Sequence, residues 1–353
     1  MRYKLFGNSG LRVSELCLGT MTFGEDWGYG ASKEECRQIF ETFLRAGGNF
    51  IDTANMYTNG TSERYLGEFI QAEREHLVIS TKYSDSPAGR DPNAAGNQRK
   101  NMVQSLEGSL KRLHTDYLDV YWVHVWDFLT PVEEVMRALD DLVRAGKVLY
   151  IGICNTPAWV VSRANMLAEL RGWTPFVGLQ IEYSLIERTP ERDLLPMART
   201  LDLAVTAWSP LASGVLTGKY NRGQGSGRQG LATTSERNLA IAGEVVKIAE
   251  EIGCTPSQVA LSWVRQQPGV IIPVIGARTP SQLEDNLHCL DVTLSEEQLS
   301  RLDAVSQFDL GFPHDFFRQP GPQGFAYGGM FNQIDNHRGY PQPLSVRRTA
   351  AAG

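Results

Sequence analysis

The feature that most limits the fold is a recurrence. Eight short apolar segments, near Leu18, Phe50, Val78, Val120, Tyr150, Leu179, Val205 and Ile271, alternate with stretches of helical period. Between Asp52 and Asp193 they return roughly every 30 residues, the length of a strand, a helix and their two loops. A strand that re-enters the same sheet after a helix runs parallel to its predecessor, and the crossover is right-handed. The pattern therefore predicts an α/β chain with a parallel sheet. With 353 residues the length alone suggests about two domains, but α/β barrels exceed ~250 residues as one unit, so a single large domain fits.

Local signals agree with this outline. Residues 3–14, YKLFGNSGLRVS, read as two short strands around an Asn8-Ser9-Gly10 turn, a hairpin placed to close a barrel floor. The segment from Glu15 to Phe23 supplies the first barrel strand, with Thr20 and Met21 facing the cleft. In TPVEEVMRALDDLVRAGK, Thr130 and Glu133 have capping-box spacing, Pro131 takes the first helical position, and Val132, Val135, Met136, Leu139 and Leu142 share a face. Gly146 ends it. Two long loops are expected, Ser84 to Lys100 and the glycine-rich Tyr220 to Ser235. From about Ser306 the alternation stops, which divides the chain into a barrel at 1–305 and a C-terminal extension at 306–353. Its nearer part, Phe312 to Phe317, is expected over the mouth of the cleft, and the remainder beyond Arg318 as a flexible extension.

Charge and cysteine usage narrow the function. The formal charge is −6, and no run of lysine or arginine is present that could follow a phosphate backbone, which argues against nucleic acid. Five scattered cysteines have neither a paired framework nor metal-ligand spacing, so no metal site is expected and reduced thiols of a cytoplasmic protein fit them. No 18 apolar residues run together and the N-terminus lacks an apolar leader core, so no membrane partner is expected. The oligomeric state is open, a homo-oligomer included.

Chemistry gathers at three successive strand ends. Asp52 closes the segment NFID, and Tyr57 follows in the polar loop before the helix that starts near Thr61. Lys82 closes LVISTK, and His124 closes DVYWVH. Singly, each has an ordinary reading: a turn-capping acid, a surface phenol, a solvated lysine, a structural histidine. Together they place an acid, a phenol, a cation and an imidazole around one cleft.

At these residues the chain resembles the aldo-keto reductases, through Asp52 and Tyr57 in DTANMY with GTSE after them, Lys82 in STKYS and His124 in DVYWVH. The resemblance covers roughly residues 1–305 and is nearest the branch that contains the potassium-channel beta subunits and related bacterial reductases. It implies a (β/α)8 TIM barrel with an N-terminal β-hairpin, whose active face lies at the C-terminal strand ends. It also implies hydride transfer from a nicotinamide cofactor to an aldehyde or ketone, with Tyr57 as proton donor, Lys82 easing loss of the phenolic proton, Asp52 holding Lys82, and His124 orienting the carbonyl. A unit charge ~4 Å from a developing phenolate is worth about 4 kcal/mol at an effective dielectric of ~20, before burial is subtracted.

The cofactor should lie along the same rim. Cys154, Asn155 and Gln180 end two strands where a carboxamide needs donors and acceptors, although the family often has serine at the place of Cys154. Trp208 offers a flat face to a nicotinamide ring, and in WSPLASGVLTGK after it Ser209, Leu211 and Lys219 are expected at the pyrophosphate, with Pro210, Ser213 and Gly214 as further cofactor contacts. Arg222 or Arg228 would reach a phosphate from the glycine-rich loop. In GARTPSQLEDN, Gly276 to Gln282 present a helix start with free amides, with Pro280 first in the helix and Thr279 and Gln282 at capping-box spacing. Arg278 suits a 2'-phosphate, so NADP(H) is the expected cofactor, with Gln282, Asp285 and Asn286 toward the adenine. Substrate contacts are expected from Trp27, Tyr57, Tyr83, His124, Trp126 and Phe312, beside Met21, for a small-molecule carbonyl. Two rival expectations are a cofactor-sensing subunit with little turnover and a lyase using Lys82 as a Schiff-base nucleophile.

Overall fold

A computed structural model describes residues 1–85, 91–221 and 234–335 of the protein. Strands β1 (Tyr3–Leu5) and β2 (Arg12–Ser14) pair antiparallel. Ser9 holds the turn, its hydroxyl donating to the Phe6 carbonyl at 2.7 Å and accepting from the Leu11 amide at 3.2 Å. Phe6 is thereby aimed into the barrel end, edge-on to Phe50 at 5.5 Å and to Trp122 at 6.0 Å. The hairpin is the floor.

Eight parallel strands close above it: β3 (Cys17–Gly19), β4 (Phe50–Asp52), β5 (Val78–Tyr83), β6 (Leu118–Val123), β7 (Val148–Cys154), β8 (Phe176–Glu182), β9 (Ala204–Trp208) and β10 (Ile271–Ile275), with β10 pairing back to β3. Each strand is neighbour to the next in sequence, as right-handed β-helix units require. The outer ring contains α1 (Lys33–Arg45), α2 (Thr61–Phe69), α3 (Arg99–Leu113), α4 (Val132–Arg144), α5 (Ala158–Arg171), α6 (Leu194–Thr200), α7 (Glu236–Ile252), α8 (Pro256–Arg265), α9 (Pro280–Leu287) and α10 (Glu296–Val305). The expected (β/α)8 TIM barrel is the observed fold. Its first strand is shorter than expected, three residues of the segment 15–23.

Side-chain alternation sorts two cores. Phe50, Val78, Val120, Trp122 and Cys154 pack inside the barrel, while Ile51, Ile79, Tyr121 and Ile153 pack outward against helices. Gly152 and Gly178 make room for the Trp122 ring, for a Cβ on Gly152 would stand 2.2 Å from Trp122 Cζ3 and one on Gly178 2.8 Å from Cη2. Gly152→Ala is accordingly expected to cost about 1–3 kcal/mol of stability by overpacking, seen as a lower urea midpoint at unchanged m-value.

The start of α4 is built differently from its sequence signal. Pro131 is the N-cap residue and no side chain caps the helix. Thr130 turns instead to Asp127, its hydroxyl donating at 2.7 Å and its amide at 2.9 Å, and Glu133 pairs with Arg163 at 2.6 Å. The carboxylate of Asp127 outcompetes a capping box because it satisfies several orphan donors of the loop at once. At α9 the expectation is closer: Thr279 accepts from the Gln282 amide at 3.3 Å and Pro280 is first in the helix. The Gln282 side-chain oxygen Oε1 reaches one residue further back and accepts from the Arg278 amide at 3.0 Å.

After α10 the chain carries two short helical turns, His314–Phe317 and Pro320–Ala326. Arg192 donates to the Asp309 carbonyl at 2.6 Å, and Arg188 and Arg192 lie over the Phe308 ring, which fixes the beginning of this segment beside α6.

Candidate active site

The C-terminal ends of the strands surround a cleft of about 650 Å³. Alternation along β5 decides which of its residues can reach it. Ser80 and Lys82 point into the barrel, whereas Thr81 points out, where its hydroxyl donates to the buried Glu63 at 2.6 Å. Glu63 is held in turn by Arg112 at 2.6 Å. Asp52 arrives from β4 on the inner face. Its Oδ1 accepts from Ser80 Oγ at 2.7 Å and from Gln180 Nε2 at 3.3 Å, and its Oδ2 is paired with Lys82 Nζ.

Lys82 is fully buried and also donates to the Thr53 carbonyl at 2.8 Å and to the Tyr57 hydroxyl at 3.0 Å. The loop after Asp52 turns sharply through Thr58 and Asn59, both at positive φ, and this brings Tyr57 back over the strand ends. The Tyr57 ring stands edge-on to the His124 ring at 6.0 Å and to the Trp27 ring at 6.5 Å. Asp52, Tyr57, Lys82 and His124, separated by up to 72 positions, thus meet in one place.

Burial and charge set the proton positions. Burial opposes the Lys82 charge, but the Asp52 carboxylate and then Tyr57 outweigh it, and the lysine is held above its usual range. Burial raises the Tyr57 phenol, against the pull of the Lys82 ammonium. The Lys82 charge acts on the phenol in the expected direction, and desolvation of the phenolate, the cost still to be subtracted from that charge effect, is the larger of the two. Burial, and then the Lys82 charge, depress His124 to about 3, so its ring is neutral near pH 7.

Of the expected cofactor residues, Met21, Asn155, Gln180, Trp208, Ser209, Pro210, Leu211, Ser213, Gly214, Lys219, Gly276, Arg278, Gln282, Asp285 and Asn286 line the cleft, as do Asp52, Tyr57, His124 and Trp27. Trp208 Nε1 donates to Asn155 Oδ1 at 3.0 Å, and Asn155 Nδ2 donates to the His124 carbonyl at 3.0 Å. Ser209, Ala212 and Ser213 all take positive φ, a folded loop at the cleft wall. Arg278 is exposed at the start of α9.

Several expected residues lie elsewhere. Thr20 is buried behind the cleft, its hydroxyl donating to the Asp52 carbonyl at 3.0 Å and bonded to Ser62 at 2.8 Å, so it ties β3 to β4. Cys154 points inward but below the cleft, in the barrel core, where burial raises its thiol well above the usual range. Tyr83 follows the inward Lys82 and therefore points out, stacked on Tyr121 at 5.1 Å with its hydroxyl donating to the Asn97 carbonyl at 3.3 Å. Trp126 packs against the outer core. Phe312 is 85% exposed and beside Phe316 rather than in the cleft, because the segment is anchored at Arg188 and Arg192. Arg222 and Arg228 lie outside the described residues.

The cleft also contains residues the sequence reading missed, among them Met56, Asp85, Thr217, Ser257 and Leu261. For Asp85 a signal existed, an acid three places after the inward lysine at a strand end. Among the described residues no His, Cys, Asp and Glu group has the arrangement of a metal site, and no helix is long and apolar enough to cross a membrane.

A closed eight-stranded α/β barrel with a buried lysine and a phenol at the carboxyl ends of its strands is the framework of a barrel enzyme. Residues 15–307 match the aldo/keto reductase family, and the chain belongs to it and is an oxidoreductase. It is 37% identical over 335 residues to the norsolorinic acid reductase of Aspergillus flavus, covering 91% of this chain and 85% of the relative. It is 38% identical over 364 residues to the aryl-alcohol dehydrogenase (NADP+) of Phanerodontia chrysosporium, covering 96% and 93%. With the norsolorinic acid reductase stcV of Emericella nidulans it shares 39% over 323 residues, covering 88% and 83%.

Proposed function

We propose that the protein reduces an aromatic aldehyde or ketone to the alcohol with NADPH, reversibly. The observation that carries this reading is the Tyr57 hydroxyl at 3.0 Å from the buried Lys82 ammonium, on the wall of a cleft that Trp27 and Met21 share. NADPH, when bound, supplies the hydride. Tyr57 gives its proton to the carbonyl oxygen, and Lys82 stabilises the negative charge that then develops on the phenol oxygen. Asp52 keeps Lys82 charged and aimed, and is itself fixed by Ser80 and Gln180. The amides of Asn155 and Gln180 suit a carboxamide, and Trp208, braced by Asn155, offers a flat face beside them. At the far end the Arg278 guanidinium, at the positive end of α9, suits the 2'-phosphate of NADP(H). The relative named for aryl alcohols and NADP+ supports both choices, and five free thiols suit a reducing, cytoplasmic setting.

The test is NADPH oxidation, followed by its absorbance, across a panel of aromatic and aliphatic carbonyls beginning with 4-nitrobenzaldehyde. Turnover of aromatic members is expected. Tight NADPH binding, no turnover and a co-purifying partner would instead favour a cofactor-sensing subunit. Arg278→Ala should raise KM for NADPH by about 10- to 100-fold, the loss of one charged hydrogen bond, and leave KM for NADH nearly unchanged. Equal effects on both cofactors would remove Arg278 from the 2'-phosphate.

A further inference from the structure

Asp85 has no part in the hydrogen transfer described above, yet it is the carboxylate nearest the imidazole. Its Oδ2 stands 3.0 Å from His124 Nδ1, a buried nitrogen that otherwise has no partner. The backbones of both residues are fixed. The Asp85 carbonyl accepts from Asn55 Nδ2 at 3.2 Å, and Ser84 Oγ accepts from the Val125 amide at 3.0 Å. The His124 amide donates to the Tyr83 carbonyl at 2.9 Å, and the His124 carbonyl accepts from Asn155. At 3.0 Å the two atoms are within hydrogen-bond distance of each other. The other ring nitrogen, Nε2, is then the one available to the cleft, which both residues line.

A neutral imidazole carries one N–H, and its place is set by what the other nitrogen meets. Beside an ionised carboxylate that proton belongs on Nδ1. We propose that Asp85 is a positioning residue for His124, holding the proton on Nδ1 so that Nε2 faces the cleft as an acceptor. A hydroxyl can donate to such a ring, but a carbonyl oxygen cannot be served by it until the Asp85–His124 pair takes up one proton from solvent. The proton can reside on either partner. A protonated Asp85 donates to Nδ1 and leaves Nε2–H, and an imidazolium beside a carboxylate also has Nε2–H. Thus the inference deepens the reductase reading and rests on it.

The charges around the pair agree. Lys82 faces both groups, Tyr57 stands edge-on to the ring, Asp52 lies behind Lys82, and the Cys154 thiol is buried below. Burial and the Lys82 charge keep the ring from becoming an imidazolium near neutrality. Burial raises the Asp85 carboxyl, with Lys82 opposing, which moves proton uptake by the pair toward the working pH range.

Two measurements on the NADP(H)-bound enzyme test this. Nitrogen NMR of the His124 ring, in wild type bound to NADP+ at pH 7, should show Nδ1 protonated and Nε2 not. In Asp85→Asn the proton should move to Nε2, the position favoured by a free imidazole. With the best aldehyde of the panel, wild-type reductive kcat/KM should rise about tenfold per pH unit as pH falls toward the pKa of the pair and level off below it. In Asp85→Asn this limb should vanish, and in Asp85→Glu, which restores a carboxylate, it should return. Wild-type Nε2 protonated at pH 7, or a D85N profile parallel to wild type, overturns the inference while leaving the reductase reading intact. No turnover of any carbonyl by wild type overturns that reading instead. Should D85N fail to fold, the wild-type ring signal alone decides.

Discussion

Tyr57→Phe is expected to lower kcat for aldehyde reduction by about 10² to 10⁴, the worth of a positioned general acid, while NADPH binds as before. The change removes one oxygen and leaves the ring where it stands against Trp27 and His124. Lys82 keeps its other two partners, Asp52 and the Thr53 carbonyl, so the barrel should melt within a degree or two of wild type. The measurement is steady-state kinetics together with a fluorescence titration of NADPH. Full activity in the variant would take Tyr57 out of the mechanism, however close it lies to the lysine.

Lys82→Met should act on stability as well as rate. The ammonium is fully buried, and its removal strands the Asp52 carboxylate, itself 2% exposed, with only Ser80 and Gln180 as donors. Breaking a buried pair in this way costs about 3–5 kcal/mol, read as a lower urea midpoint. Replacing both partners, Asp52→Asn with Lys82→Met, should recover much of the stability and none of the activity. The pH dependence has a definite sign. The pKa of Lys82 is raised on folding, so its contribution is complete below the ordinary lysine value and is lost only as pH rises through the higher folded one. The deficit of the lysine variant relative to wild type should therefore be flat from about pH 6 to 9 as far as Lys82 itself is concerned. A double variant as inactive and as unstable as the single one would mean that the pair acts through packing and not through charge.

Much of this molecule is written locally. The recurrence of apolar segments demands parallel strands, and the words around Asp52, Tyr57, Lys82 and His124 point to one cleft because they lie at three strand ends, and on the loop after the first of them, at one end of the barrel. The helix start at Thr279 is likewise a local signal, and it places Arg278 at the positive end of α9. Strand alternation is also legible. Once Lys82 faces inward, Tyr83 must face outward, and the sequence alone would have withdrawn it from the substrate pocket.

Other features depend on distances between segments that no local pattern encodes. Thr130 has the spacing of a cap, but the competing carboxylate of Asp127 is held beside it by Asn97, from the loop before α3, whose amide donates to it at 2.7 Å. Phe312 reads as an aromatic near a mouth, but the chain just before it is held by Arg188 and Arg192, more than a hundred positions away, through the Phe308 ring and the Asp309 carbonyl. The sequence by itself determined the barrel, the four chemical groups and the rim on which they meet, since strand order and parity follow from short-range periodicity. Only the tertiary structure decided the balance of burial against charge at Tyr57 and the pairing of Asp85 with His124. Both are properties of the space between strands, where the cost of removing water from a charge depends on every neighbour at once.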